Sequence, residues 1–341
     1  MQYQVESAGA RHIQMPLKSK NPLQIRKNTK RLIKLIQAES IDIIHARSRA
    51  PAWSAWHATQ KTACHFITTF HGTYGTSGAL KRRYNSIMTR GELVIANSQF
   101  TASHIMHTYP MEQKNLRVIC RGVDISVYNP GAVTQARIIQ LAGEWRLPDG
   151  KSVIMLPGRL TSWKGHPVLI EALTHLKRDD YVVVFVGDEQ GRNDYRHQLE
   201  RQVEQSGLGH IVRFAGPCRD MPAAYVSADV VVSASTKPEA FGRVIVEAQA
   251  MGRPVVAFEH GGAKETLLGG ETGLLVEPGN AVKLAQALDV ALNLTAERRQ
   301  SMAEIAIRHV AENFTLDKMC DNTLAVYEEV VSIGAPILSG Q

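Results

Sequence analysis

Two glutamates, Glu239 and Glu247, carry the strongest chemical signal in this sequence. They stand eight positions apart in K-P-E-A-F-G-R-V-I-V-E-A-Q-A-M-G, the stretch from Lys237 to Gly252. Pro238 and Gly242 bracket a loop, and Arg243 to Met251 reads as a helix closed by Gly252. Glu239 then lies in the loop ahead of the helix. Glu247 lies inside it, among Val244, Ile245, Val246 and Ala248. A carboxylate in so apolar a run needs hydrogen-bond donors, or its burial is costly. Polyol hydroxyls would satisfy both glutamates. The N–H groups of Phe241, Gly242 and Arg243 would meet an anion or a sugar oxygen at the helix start. A purely structural reading stays open at this point: a capped helix with one buried, salt-bridged glutamate.

The elements that must position these residues come as two alternating series. Short apolar stretches at Ile41–His45, His65–Phe70, Leu93–Asn97 and Arg117–Cys120 are strand-like, with helical segments between them. A second series follows at Ser152–Leu156, Tyr181–Val186, Ile211–Ala215, Asp229–Ala234, Pro254–Phe258 and Gly273–Val276. Such alternation implies parallel sheets with crossover helices. Functional residues are expected at the carboxyl ends of the strands. There stand His45, Arg47-Ser48-Arg49, His71-Gly72, Asn97-Ser98 and Arg121-Gly122 in the first series. Further helices are expected at Ala281–Leu292, Glu297–Glu312 and Leu316–Val331. Ahead of the first series, Arg11 to Leu17 reads as a short strand. Asn21-Pro22 supplies a cap and a first-turn proline for a helix running to Glu39. That helix is basic and amphipathic, with Lys27, Lys30, Arg31 and Lys34 on one side. It is either a solvated face or a surface that meets anionic lipid headgroups, an idea to which Lys81-Arg82-Arg83 adds.

The chain of 341 residues is long enough for two domains. Its hydrophobic and charged fractions, 44% and 21%, are ordinary for a globular protein. No apolar run reaches the roughly 20 residues that span a bilayer. The opening M-Q-Y-Q-V-E-S-A-G-A has no cationic run followed by an apolar core, so a cytoplasmic location is expected, with peripheral contact to the inner face of the plasma membrane. Cys64, Cys120, Cys218 and Cys320 are scattered, which suits a reducing compartment and argues against a zinc site. His104 and His107 read as surface residues, and no metal is expected. A net charge of +7 favours anionic partners. Nucleic acid is excluded as the weakest of these, because no zinc finger, aromatic RNA-binding motif or basic tail is present.

The Glu239–Glu247 stretch resembles the E-x7-E signature of retaining glycosyltransferases of family 4, the glycosyl transferases group 1. The following V-V-A-F-E-H-G-G-A-K-E-T (Val255 to Thr266) and T-G-L-L-V (Thr272 to Val276) are similar to that family's next segments, and Val123-Asp124 resembles its G-V-D segment. The resemblance implies an α/β, GT-B fold, with two Rossmann-like domains facing across a cleft. It places an acceptor domain at residues 1–130, a nucleotide-sugar-binding domain at 150–315 and a last helix, 316–334, crossing back to the first domain. That family's first domain opens with a strand and a turn resembling G-G-x-E, and nothing like it precedes Arg11. Val5 to Leu17 looks like the third strand region, so the first domain is expected to be incomplete, with a gap in its sheet. A misassigned start codon or a fragment is favoured as the explanation over a degraded gene product.

By the same resemblance the donor is a nucleotide diphosphate sugar, UDP- or GDP-linked, and no further cofactor is implied. Arg159 and Lys164, in P-G-R-L-T-S-W-K-G, are then the pair that neutralises the diphosphate, the arginine as a two-pronged donor and the lysine as a point charge. Glu239, with the amides of Phe241 and Gly242, is implied to hold the donor sugar. Glu247 is implied to accept from the ribose hydroxyls. Gly158, Gly187, Asp188, Gly216 and Arg243 complete the donor pocket, with the base packed near Gly216 to Arg219. His71, in T-T-F-H-G-T-Y, resembles the histidine near the transferred sugar, as a positioning donor. Arg47, Arg49, Trp53 and Tyr74 are acceptor candidates, since arginines suit phosphorylated or acidic saccharides and aromatics stack on sugar faces. The expected activity is hexosyl transfer with retention, to a saccharide or lipid-linked acceptor in envelope polysaccharide or glycolipid synthesis. Two other readings stand beside it: a sugar-nucleotide epimerase of the same architecture, and a non-catalytic remnant that binds nucleotide. A dehydrogenase is disfavoured, because no G-x-G-x-x-G follows a strand.

Overall fold

The computed structural model describes residues 2–75, 77–191, 193–332 and 334. The chain divides into two compact units. The first holds residues 1–97, 102–119 and 323 onward, and the second holds 98–101 and 120–322.

In the first part of the chain the order is α1 (Gln2–Ser7), α2 (Pro22–Glu39), β1 (Ile43–Ala46), α3 (Arg49–Thr59), β2 (His65–Phe70), α4 (Ala79–Asn85), β3 (Leu93–Ala96), α5 (Gln99–Thr108) and β4 (Leu116–Val118). The four strands form one parallel sheet in the order β1-β2-β3-β4, with Ile43 opposite His65 and Ile67 opposite Leu93. β2 is buried along its whole length, as a central parallel strand must be. Phe66, Phe70, Ile87, Met88, Val94 and Ile105 pack as its core. α2 begins as the sequence specifies: the Asn21 side chain accepts from Leu23 N at 2.9 Å, and Pro22 takes the first turn.

Two expectations fail here. Arg11 to Leu17 is not a strand, and Val5 lies in α1. Pro16 has no N–H to give a ladder, and its carbonyl accepts from the Asn28 side chain at 3.0 Å. The sheet also has no gap. The four strands pair consecutively, with β1 and β4 at the edges.

The remaining elements are α6 (Gln135–Trp145), β5 (Ser152–Pro157), α7 (His166–His175), β6 (Tyr181–Val186), α8 (Asn193–Gln205), β7 (Val212–Gly216), α9 (Met221–Val226), β8 (Val230–Ser233), α10 (Arg243–Ala250), β9 (Val255–Phe258), α11 (Ala263–Thr266), β10 (Gly273–Val276), α12 (Ala281–Leu292), α13 (Ala296–Asn313) and α14 (Leu316–Ser332). Six parallel strands run β10-β9-β8-β5-β6-β7. Alternate residues of each strand serve opposite faces. Ile154 and Leu156 join Leu169, Leu173, Leu284 and Leu288 on one face. Val153 and Met155 join Leu141, Tyr225, Ile245 and Val255 on the other. The strand order reverses between β5 and β8, and a crevice opens where loops leave such a point in opposite directions. Among the described residues, no helix is long and apolar enough to cross a membrane.

Candidate active site

The loops after β5 and β8 are the two that leave this reversal point, and they carry Gly158–Lys164 and Ser235–Gly242. The structure joins them. Thr236 N donates to Trp163 O at 2.8 Å. Lys164 Nζ lies 2.7 Å from Glu239 Oε1, with the two side chains only 12% and 18% exposed. The same carboxylate oxygen accepts from Ser235 Oγ. Lys164 Nζ also lies 4.7 Å from the centroid of the Trp163 ring. A cation and a carboxylate predicted from segments 75 residues apart thus meet in one half-buried spot.

Glycines make that approach possible. Gly165 has φ +79°, and a Cβ there would lie 1.7 Å from Ala234 O. Gly261 and Gly262 pass under the 239–241 loop so closely that a Cβ on either would lie 2.4 Å from Glu239 O or Phe241 O. Gly262 N donates to Glu239 O at 2.8 Å, which fixes the loop in height. Phe241 is buried and packs edge-on against Phe314, with centroids 5.6 Å apart. Gly242, at φ +89°, then turns the chain into α10.

Glu247 lies one helical turn into α10 and is 8% exposed. Both of its oxygens are held. Arg243 Nη2 donates to Oε1 at 2.7 Å, and the fully buried Tyr225 hydroxyl donates to Oε2 at 2.9 Å. Burial first, and then the Glu247 charge, push the Tyr225 phenol far above its ordinary range, so it acts only as a donor. Tyr128 lies 6.1 Å from the Tyr225 ring and is raised to about 12, by burial and then by Glu247.

The ends of β5, β6 and β7 form a ladder of the expected glycines. Gly158 N donates to Val186 O and Gly187 N to Gly216 O, both at 2.8 Å. Gly187 cannot carry a side chain, since its Cβ would lie 2.0 Å from Gly158 O. Asp188 O accepts from Leu160 N at 3.1 Å, and its carboxylate accepts from Gln190 N at 2.7 Å. Arg159 is exposed and reaches Gln190 Oε1 at 3.3 Å, so it is brought to the same rim but not onto Glu239. Beyond Gly216, a cavity of about 420 Å³ lies between α6 and the loop before α9, lined by Trp145, Ala215, Pro217, Cys218 and Arg219 among others.

The remaining candidates belong to the first unit. His71 Nε2 accepts from Arg47 Nε at 3.1 Å. Arg49 is engaged in packing: it donates to Asn85 Oδ1 at 2.9 Å and covers the Tyr74 ring at 4.3 Å. Trp53 stacks on Tyr84. His45 bridges Tyr327 and Thr69 at 2.7 and 2.6 Å, and burial followed by Arg47 lowers its pKa to about 4.

Sequence reasoning did not single out Ser235, Tyr225 or Trp163 as partners of the expected residues. Their bonds arise only when β8, α9 and the loop before α7 come together. The signal that could have marked the close approach is the glycine pair at 261–262, which entered the sequence reading only as part of a family-like segment.

Comparison with known proteins bears on this arrangement. The model for glycosyl transferases group 1 matches residues 139–309, and that for glycosyltransferase family 4 matches residues 3–127. A D-inositol 3-phosphate glycosyltransferase of Corynebacterium aurimucosum is 35% identical over 255 residues, covering 72% of this chain and 58% of that one. The chain thus spans less than two thirds of that relative's length. A glycosyltransferase from Rickettsia africae superposes with a TM-score of 0.90 at 37% identity, covering 96% of this chain and 87% of that one. The Anabaena protein HepE, solved in complex with UDP-glucose, gives 0.84 at 25% identity, covering 96% and 88%.

Proposed function

This chain belongs to the glycosyl transferases group 1, with the GT-B α/β fold, and we propose that it moves a hexose-type sugar from a UDP- or GDP-linked donor to a saccharide or lipid-linked acceptor, with retention at the anomeric carbon. The observation that carries this reading is the Lys164–Glu239 contact of 2.7 Å at the reversal point of the sheet. A cation suited to a leaving diphosphate stands there beside a carboxylate suited to sugar hydroxyls.

In the reaction, the bond from the anomeric carbon to the β-phosphate oxygen breaks, and its electron pair stays on that oxygen. Lys164 and Arg159 neutralise the charge as it develops, which is where such sites gain most of their rate. The N–H groups at the start of α10 add to this. The acceptor oxygen bonds to the same face of the sugar, and its proton passes to the departing phosphate. Glu239 orients the sugar through its hydroxyls, and Glu247 accepts from the ribose. Gly216 to Arg219 and the cavity beside them suit the base. His71, with Arg47, is offered to the acceptor side. The Corynebacterium relative's named substrate, D-inositol 3-phosphate, favours a phosphorylated polyol as the kind of acceptor Arg47 would meet. The UDP-glucose in HepE favours UDP as carrier. The proposed setting is envelope polysaccharide or glycolipid synthesis on the cytoplasmic side.

The test is product analysis with UDP- and GDP-sugars, with and without acceptors. Lys164→Ala and Glu239→Ala are each expected to reduce transfer by about 10²-fold or more, with melting temperature retained. Unchanged turnover in both would remove the assignment. Formation of an epimer from sugar nucleotide alone would replace transfer by isomerisation.

A further inference from the structure

A slot of about 300 Å³ lies between α2 and α3 in the first unit, and Trp53 is the one candidate site residue that lines it. Pro22, Ile25 and Thr29 line one wall, Trp53 and His57 the other, and Arg26 and Lys61 are the full cations among the described lining residues. The Thr29 hydroxyl is already bonded to Ile25 O at 2.9 Å. Among the described residues, no carboxylate lines the slot. Its volume stands at the small end of ligand pockets, roughly 300–1,000 Å³. That suits one chain segment and excludes an oligosaccharide.

The surroundings continue the same chemistry. From Lys18 to Ala38 the sequence has no Asp or Glu, and Lys27, Lys30, Arg31 and Lys34 are all exposed on α2. Lys20 lies 5.4 Å from the centre of the Tyr84 ring, and Tyr84 stacks on Trp53 at 6.2 Å and 28°. This chain of contacts ties α4 to the slot, and α4 carries exposed Lys81, Arg82 and Arg83 behind Leu80, which is 85% exposed. Leu23, at the start of α2, is 77% exposed. Burial, then Arg90 and Lys61, lower the pKa of His57, so its ring lines the slot uncharged at neutral pH.

We propose that this slot binds a single anionic phospholipid, with an acyl segment between Ile25 and Trp53 and the phosphate on Arg26 and Lys61. An apolar wall beneath cations matches an amphiphile. A free anion would meet only two exposed charges, which salt screens. The basic row of α2 and the α4 cluster then lie against the anionic surface from which the lipid comes. This inference is independent of the sugar-transfer reading and stands or falls without it.

Calorimetry on the full chain tests it, using dihexanoyl phosphatidylglycerol below its micelle concentration, dihexanoyl phosphatidylcholine, glycerol 3-phosphate and a single-stranded oligonucleotide. Saturable binding of the first at one per chain is expected, with the second weaker by about 30-fold, because its choline cation offsets the phosphate charge that Arg26 and Lys61 would meet. Glycerol 3-phosphate is expected not to saturate, because each methylene lost from the slot costs roughly fourfold. Arg26→Glu with Lys61→Glu should abolish the preference for phosphatidylglycerol. Ile25→Asn should weaken both lipids alike. Both variants should keep the melting temperature and UDP affinity of the parent. Equal binding of the two lipids, saturation by glycerol 3-phosphate, tighter binding of the oligonucleotide, or intact lipid binding in both variants would each overturn the proposal.

Discussion

At the level of single residues, the candidate site is a set of charges held in place by neutral donors. Glu247 illustrates this. Its salt bridge to Arg243 runs along one helix, and the arginine is 58% exposed, so the pair alone would position the carboxylate weakly. Tyr225 is different: it is buried, rigidly packed and reaches the other oxygen from α9. A hydrogen bond to a charged group contributes about 1.5–3 kcal/mol. Tyr225→Phe is therefore expected to weaken UDP binding roughly 10-fold while leaving kcat at saturating donor within a factor of about two, since the reacting bond is untouched. The preference for UDP over 2′,3′-dideoxy-UDP should shrink with it. A variant that melts like the parent and retains the full preference would show that Tyr225 merely fills space. Glu247→Gln serves as the control, because an unchanged preference there would remove the ribose contact itself. The two glutamates were legible from their own neighbours in sequence. Their donors were not, since Tyr225 lies 22 positions from Glu247 and nothing local marks it as a partner.

At the level of elements, the strands were legible as short runs rich in apolar residues, most plainly β6, which is buried on both faces and reads Y-V-V-V-F-V. The stretches at His65–Phe70, Tyr181–Val186 and Gly273–Val276 fall where the sequence places them, and α12 does so residue for residue. Arg11–Leu17 misled because Ile13, Met15 and Leu17 alternate as a strand would, yet among the described residues no strand pairs with them. Alternation states which way side chains face, not whether a partner exists. What sequence patterning could not give is how closely the loops after β5 and β8 approach. That distance is set by Gly165, where the backbone is left-handed and Ala234 O occupies the place of a side chain. Gly165→Ala must push α7 from β8. Such a clash with backbone, added to an unfavourable φ, is expected to destabilise by at least ~2 kcal/mol and to part Lys164 from Glu239. The measurable outcome is a lowered melting temperature together with lost UDP-induced stabilisation. Gly143→Ala, on the open side of α6, should be neutral or slightly stabilising as the matched control. A Gly165→Ala protein that bound UDP normally would show that the two loops need not touch.

At the level of the whole molecule, each compact unit contains a histidine that its surroundings keep uncharged. His45 in the first unit and His166 in the second are both lowered to about 4, chiefly by burial and then by the nearby charges of Arg47 and Lys164. His166 opens α7 with its ring edge-on to Phe185, and neither ring nitrogen meets a hydrogen-bond partner among the described residues. The unfolded chain takes up protons at the ordinary histidine value near 6.5, whereas the native chain resists until about 4. Stability from these groups is thus fully present above 6.5 and is lost as pH falls through that window. At pH 5 the loss amounts to about 2 kcal/mol for His166, and less for the partly exposed His45. His57, His104 and His309 are lowered in the same direction, so the wild-type slope has further contributors. Most carboxylates titrate below this range, which makes the interval from pH 7.5 to 5 the informative one. His166→Leu should flatten the pH dependence and raise stability at pH 5, because it removes a buried polar ring in favour of an apolar one. His45→Gln should also flatten it while costing some stability at neutral pH, since Tyr327 and Thr69 lose their shared partner. The two residues share no partner and belong to different units, so the effects on the slope should add in the double variant. Denaturant melts at the two pH values measure this directly, and a double variant with the wild-type slope would show that neither ring is held neutral in the native protein.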